Sequence, residues 1–128
     1  MKIEHFALNV EKPNEMVQWY VDNFGMKVVR AMNDANGTHF FVDEAGKVVV
    51  EIYNNPLSPM PDYRGMHPLM FHIAFVVDDI QAARERLFAA GATPEGDINN
   101  TPAGDQLCFL RDPWGVPLQL ARRAKPLM

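Results

Sequence analysis

Short apolar runs and two amphipathic stretches recur along this chain in the same order twice. Residues 3–10, Ile-Glu-His-Phe-Ala-Leu-Asn-Val, match residues 70–77, Met-Phe-His-Ile-Ala-Phe-Val-Val, with His5 over His72, Ala7 over Ala74 and Val10 over Val77. Both are rich in β-branched and aromatic residues, which predicts strands. A helical pattern follows each. Pro13 suits a first-turn position and Met16, Val17, Tyr20 and Phe24 form one face; Asp79 is placed to cap a helix presenting Ile80, Ala83 and Leu87. Gly25 and Gly91 sit where a left-handed residue ends a helix. Further strands are predicted at 27–32, 38–43 and 48–53, with turns at Asn36-Gly37 and Ala45-Gly46. In the second half the matching strands are a polar, weak 96–101, then 106–110 and 116–121, the last two joined by Asp112-Pro113-Trp114-Gly115.

Each half therefore reads as βαβββ, an α+β arrangement. Phe40-Phe41-Val42 with Val50-Glu51-Ile52 lies over Cys108-Phe109-Leu110 with Leu118-Gln119-Leu120. One half offers a single sheet with an apolar face and nothing to cover the other, so two halves are expected to pair around a common core or cleft. The divisions are module one at 1–55, a proline-bearing connector at 56–68 and module two at 69–124, within one domain spanning 1–128.

Strand alternation places His5 with Ile3, Ala7 and Asn9, Glu51 with Val49 and Tyr53, and Gln119 with Pro117 and Ala121, each set opposite the greasier face that helices cover. His5, Glu51, His72 and Gln119 thus share the cleft side, and the His5-to-Glu51 spacing is within one residue of that from His72 to Gln119. An ionised Glu51 amid Val48, Val49, Val50 and Ile52 needs a partner or water, because an unpaired carboxylate in an interior costs several kcal/mol. Two imidazoles, a carboxylate and an amide oxygen suit a divalent ion: Zn, Ni, Co, Mn or Fe(II).

Composition narrows the classes. At 48% hydrophobic and 22% charged residues, the chain is an ordinary globular one, able to bury a core without disulfides. A formal charge of -4 with no basic block argues against a nucleic-acid partner. Glu4, His5 and Asn9 interrupt any apolar leader, no run of 18 apolar residues exists, and Cys108 is the single cysteine, so a cytoplasmic protein without a membrane partner is expected. Cys108 reads as a small buried hydrophobe.

The His-bearing first strands, the segment Phe24-Gly25-Met26-Lys27, the Asp112-Pro113-Trp114-Gly115 turn and the last strand resemble the vicinal oxygen chelate superfamily, also called the glyoxalase/bleomycin resistance/dioxygenase proteins. The resemblance covers nearly the whole chain. It implies paired βαβββ modules forming an incomplete barrel around a metal that holds a substrate through neighbouring oxygens and polarises it. It carries the ligand positions of glyoxalase I onto His5, Glu51, His72 and Gln119, and it implies a homodimer. The last position is commonly Glu in that family; Gln119 can ligate but cannot take a proton, which leaves Glu51 as the ligand carboxylate able to shuttle one.

The expected activity is therefore metal-dependent isomerase or lyase chemistry on a small oxygenated substrate. The alternatives are an Fe(II) ring-cleaving dioxygenase, whose family carboxylate comes from the last strand, and a metal-free drug-binding protein, which generally lacks the full polar quartet. Tyr53, Asn9 and His39 are the candidate substrate contacts, with a purely structural role as the alternative for His39. Tyr63, Arg64 and His67 lie in the connector, where a lid against an anionic substrate is one reading and an exposed loop the other.

Overall fold

The computed structural model describes all residues, Met1–Met128. The chain divides into two compact units, Met1–Pro61 and Asp62–Met128. The first runs β1 (Phe6–Asn9), α1 (Pro13–Phe24), β2 (Lys27–Ala31), β3 (His39–Val42) and β4 (Val49–Tyr53), with its sheet in the order β1-β4-β3-β2. β1 pairs parallel to β4, and the other neighbours are antiparallel. Pro13 occupies the start of α1, where its missing N–H costs nothing, and Gly25 ends the helix at φ +64°. Met16, Val17 and Tyr20 are buried on α1, and Phe41, Val50 and Ile52 are buried on the sheet face it covers, with the Tyr20 and Phe41 rings 6.0 Å apart.

The second unit runs β5 (Ile73–Val76), α2 (Ile80–Ala89), β6 (Thr93–Pro94), β7 (Asn99–Asn100), β8 (Gln106–Arg111) and β9 (Pro117–Arg122). β5 is parallel to β9, β9 is antiparallel to β8, and β6 and β7 each pair with β8. The Asp79 side chain caps α2 by accepting from the Ala82 N–H at 3.0 Å. Leu87, Leu110, Leu118 and Leu120 are completely buried and make the core beneath α2, each contributing roughly 1.5–3 kcal/mol of burial.

The α+β class and the duplicated βαβββ order hold: two helices and nine strands form two mixed sheets, neither closed into a barrel. Two expectations need correcting. The strand at 96–101 shrinks to β7, and a separate two-residue β6 precedes it, because Pro94 has no N–H to donate and Gly96, at φ +110°, turns the chain between them. The third strands were aligned one residue out of step. Phe40 is opposite Glu51 and Phe109 is opposite Gln119, so Phe40, not Phe41, corresponds to Phe109. The turn from Asp43 to Val48 is one residue longer than that from Asp112 to Val116, and turn length sets hairpin register.

The connector is no free linker. Its first part stays with the first unit, and the segment from Asp62 onward packs within the second. No helix is long and apolar enough to cross a membrane.

Candidate metal-binding site

In the first unit β4 carries Glu51 between Ala7 of β1 and Phe40 of β3, directly opposite each in register, so all three side chains share one face. His5, immediately before β1, lies on the same face by alternation. Its Nε2 is 3.2 Å from Glu51 Oε2, with 34% of the His5 side chain and 18% of the Glu51 side chain exposed. The imidazole stands edge-on to Phe40 at 5.7 Å and 85°. Its Nδ1 bonds the Glu4 carboxylate, which accepts only, so Nδ1 carries the proton. The hydrogen bond to Glu4 is the main cause holding the His5 pKa above its ordinary 6.5; partial burial opposes this, and the charges of Glu4 and Glu51 add to it.

The second unit repeats the constellation. Gln119 on β9 stands opposite Ala74 of β5 and Phe109 of β8, and is buried. The His72 ring is edge-on to Phe109 at 5.2 Å and 79°. His72 Nδ1 donates to the Pro68 carbonyl at 2.8 Å, which in the neutral ring leaves Nε2 as the lone-pair nitrogen. Each unit therefore supplies an imidazole, an aromatic edge contact and one oxygen-bearing side chain on the middle of its last strand.

The remaining sequence candidates fall in different places. Tyr53 lies on the Glu51 face at the end of β4, opposite Asn9. Asn9 itself is committed to the backbone: it donates to the carbonyls of Asn55 at 3.2 Å and Ser58 at 3.3 Å, and accepts from the Asn55 N–H at 2.8 Å. These bonds clamp the chain leaving β4. His39 is opposite Ile52, with Phe41 and Val50 on the helix-covered face, and its Nδ1 bonds the Gly37 carbonyl at 2.8 Å. It does not share the Glu51 face, so the structural reading is the one its position supports. His67 is exposed and accepts from the Leu69 N–H. Cys108 is buried, and burial pushes its thiol pKa up.

Sequence reading missed the groups around the imidazoles. In sequence Phe40 and Phe109 read only as members of matching strands, and the register places them beside His5 and His72. Arg111, in an otherwise apolar strand, was overlooked although a charge in such a run signals a partner. Its side chain is 10% exposed and makes a two-point ion pair with Glu95, Nε to Oε2 at 2.7 Å and Nη2 to Oε1 at 3.1 Å. Nη1 also donates to the carbonyls of Tyr63 and Gly115, and Nη2 to that of Met66. The Glu95 pKa lies below its ordinary 4.5, first because of the Arg111 hydrogen bond, against burial and with help from the charges of Arg111 and His67.

No three His, Cys, Asp or Glu side chains form a group able to hold a metal ion. In kind, the donors of each unit suit a divalent ion: an imidazole tied at Nδ1, as metal-ligating histidines usually are, with a carboxylate in the first and with an amide oxygen in the second.

The chain is similar to several known proteins. It is 24% identical over 120 residues to the uncharacterized protein YwkD of Bacillus subtilis, covering 92% of this chain and 94% of YwkD. The solved structure of SMU.1112c is 27% identical with a TM-score of 0.72, over 95% of this chain and 99% of that one. A mutant of the fosfomycin resistance protein FosX from Listeria monocytogenes, complexed with Mn(II) and a dihydroxypropylphosphonic acid, shares the fold at 16% identity and a TM-score of 0.75, over 96% and 92% of the two chains. The family model described as Glyoxalase/Bleomycin resistance protein/Dioxygenase superfamily matches residues 2–120, and the chain belongs to that superfamily.

Proposed function

We propose that this protein is a divalent-metal-dependent enzyme of the glyoxalase type, carrying out isomerase or lyase chemistry on a small oxygenated substrate. His5, Glu51, His72 and Gln119 are its proposed ligands. The observation that carries the reading is the repeated constellation: in each unit an imidazole is tied at Nδ1 by an acceptor and stands beside a phenylalanine that is the register partner of Glu51 or Gln119. Duplicated hydrophobic cores explain duplicated leucines, but they do not require a polar side chain at the same register position in both sheets. The Mn(II) complex of FosX supports a metal on this scaffold.

When bound, the ion would supply Lewis-acid polarisation of substrate oxygen. The chain's own residues then divide the work. Glu51, as the one carboxylate of the set, is the proposed proton carrier, because the Gln119 amide has no basic site of comparable strength. Phe40 and Phe109 stand edge-on to the imidazoles and help orient them. In the doubly protonated ring, the proton on His5 Nε2 and a metal ion compete for the same lone pair, so binding to that form should release a proton. Tyr53, on the Glu51 face, is a candidate for substrate contact.

Purified, chelator-stripped protein should gain thermal stability with Mn, Co, Ni, Zn or Fe(II); at a free metal concentration one hundred times Kd the gain is about 2.7 kcal/mol. Absence of any gain, with no metal retained by the protein as isolated, rules the reading out. Substituting Glu51→Gln separates catalysis from sequestration: an enzyme loses turnover, whereas a drug-binding protein of this superfamily retains its ligand.

A further inference from the structure

We propose that Arg111 is a positioning residue for His72: by holding the turn at Tyr63–Met66 it sets the Pro68 carbonyl that keeps Nδ1 protonated and Nε2 open. The inference deepens the proposed function, since it matters chemically only if His72 is a ligand.

The chain of contacts is continuous. Arg111 has five N–H groups, and bonds from them reach Glu95, the Tyr63 carbonyl at 2.8 Å, the Met66 carbonyl at 2.9 Å and the Gly115 carbonyl at 3.1 Å. Glu95 fixes the plane of the fork, and the backbone of the 63–66 turn follows it. His67 alone separates Met66 from Pro68. The Leu69 N–H donates to His67 Nδ1 at 3.1 Å and the Met70 N–H to the His67 carbonyl at 2.9 Å, which closes the next turn. Pro68 is buried with its φ locked by the ring, and its carbonyl meets His72 Nδ1 at 2.8 Å.

The same segment is tied to the β8–β9 turn by a second bond, Arg64 Nη2 to the Pro113 carbonyl at 2.6 Å. A backbone so anchored presents its carbonyl in one direction. An unanchored loop would have to be ordered at a cost in backbone entropy, and the imidazole would be free to turn. The first unit is built differently. Its histidine is held by the Glu4 side chain, which is 81% exposed and has no comparable scaffold. The two imidazoles therefore differ in how firmly their tautomers are set, and the firm one depends on Arg111.

The deciding measurement is the tautomer of His72 in metal-free, nitrogen-15-labelled protein, read from long-range proton–nitrogen correlations. Wild type should show Nδ1-protonated His72. Arg111→Met and Arg111→Lys should give a tautomer mixture at His72 while the signals of His5 and His39 stay in place, with metal affinity lowered about 10–100-fold. If Arg111→Met does not fold, Arg111→Lys and Glu95→Gln decide the matter, since both retain bulk and part of the bonding. A folded variant with an unchanged His72 tautomer overturns the proposal, whatever its metal affinity. If wild type binds no metal, the ligand reading fails on its own, and the tautomer result still decides the role of Arg111.

Discussion

Glu51 Oε2 sits 3.2 Å from His5 Nε2, and that pair is where a single atom should matter most. Glu51→Gln keeps the shape and removes the charge, so cobalt affinity, followed by calorimetry or by the visible spectrum, should fall at least tenfold while the fold persists. His39→Gln is the matching control. Its ring lies on the opposite sheet face with Phe41 and Val50, and cobalt binding should stay within twofold of wild type. At Asn9 the expected loss is in stability. Asn9→Ala leaves the part-buried Asn55 N–H without its acceptor, which should cost about 0.5–1.5 kcal/mol in urea denaturation. Alternation along the first and last strands was enough to assign His5, Glu51, His72 and Gln119 to one type of face. It did not announce the Asn9 bonds to backbone, because an amide on that face can turn to neighbouring chain and that choice depends on where Asn55 and Ser58 come to lie.

At the scale of elements, the turn between β8 and β9 shows how a local motif becomes a spacer. Asp112 is completely buried, and its Oδ1 accepts from the N–H groups of both Trp114 and Val116 at 2.9 Å. Asp112→Ala removes both acceptors and should lower stability by roughly 2–3 kcal/mol, measurable by thermal or urea unfolding. Gly25 makes a smaller, cleaner test: no atom lies within 4 Å of an added Cβ, so Gly25→Ala should cost only the strain of φ +64°, about 1 kcal/mol. Most helix and strand positions were readable from periodicity and end signals, because Pro13, Gly25 and Asp79 act within one turn of the chain. The pairing of β3 with β4 was not, since a one-residue difference between two turns moves Phe40 to the place assigned to Phe41.

Across the whole molecule, three carboxylates are held below their ordinary pKa by bonds to the native fold. Asp34 is lowered chiefly by the Thr38 backbone, Asp105 by the Ala124 backbone and then Arg123, and Glu95 by Arg111. A lowered carboxylate pKa favours the native state above the ordinary values of 3.8 for Asp and 4.5 for Glu, and that contribution is lost as pH falls through the depressed values. Urea midpoints should therefore be flat near neutrality and drop on the acid side of this range. Glu95→Gln and Asp105→Asn should each flatten the acid limb, and a midpoint that rose on acidification would contradict the assignment. Because these groups sit in both units, the loss should register in each, by backbone amide exchange as well as by the global midpoint.

Some properties were set by residue order alone. The duplicated βαβββ plan, the helix ends and the sidedness of the four polar candidates all follow from periods of two or 3.6 residues and from steric rules that act between near neighbours. Tertiary structure decided the rest: which phenylalanine stands against each histidine, which polar side chains are already committed to backbone, and how a buried Arg111 binds Glu95 and the turn at Tyr63–Met66. These are contacts between residues far apart in the chain. Their existence depends on turn lengths and on the summed packing of two sheets, so no local pattern could announce them.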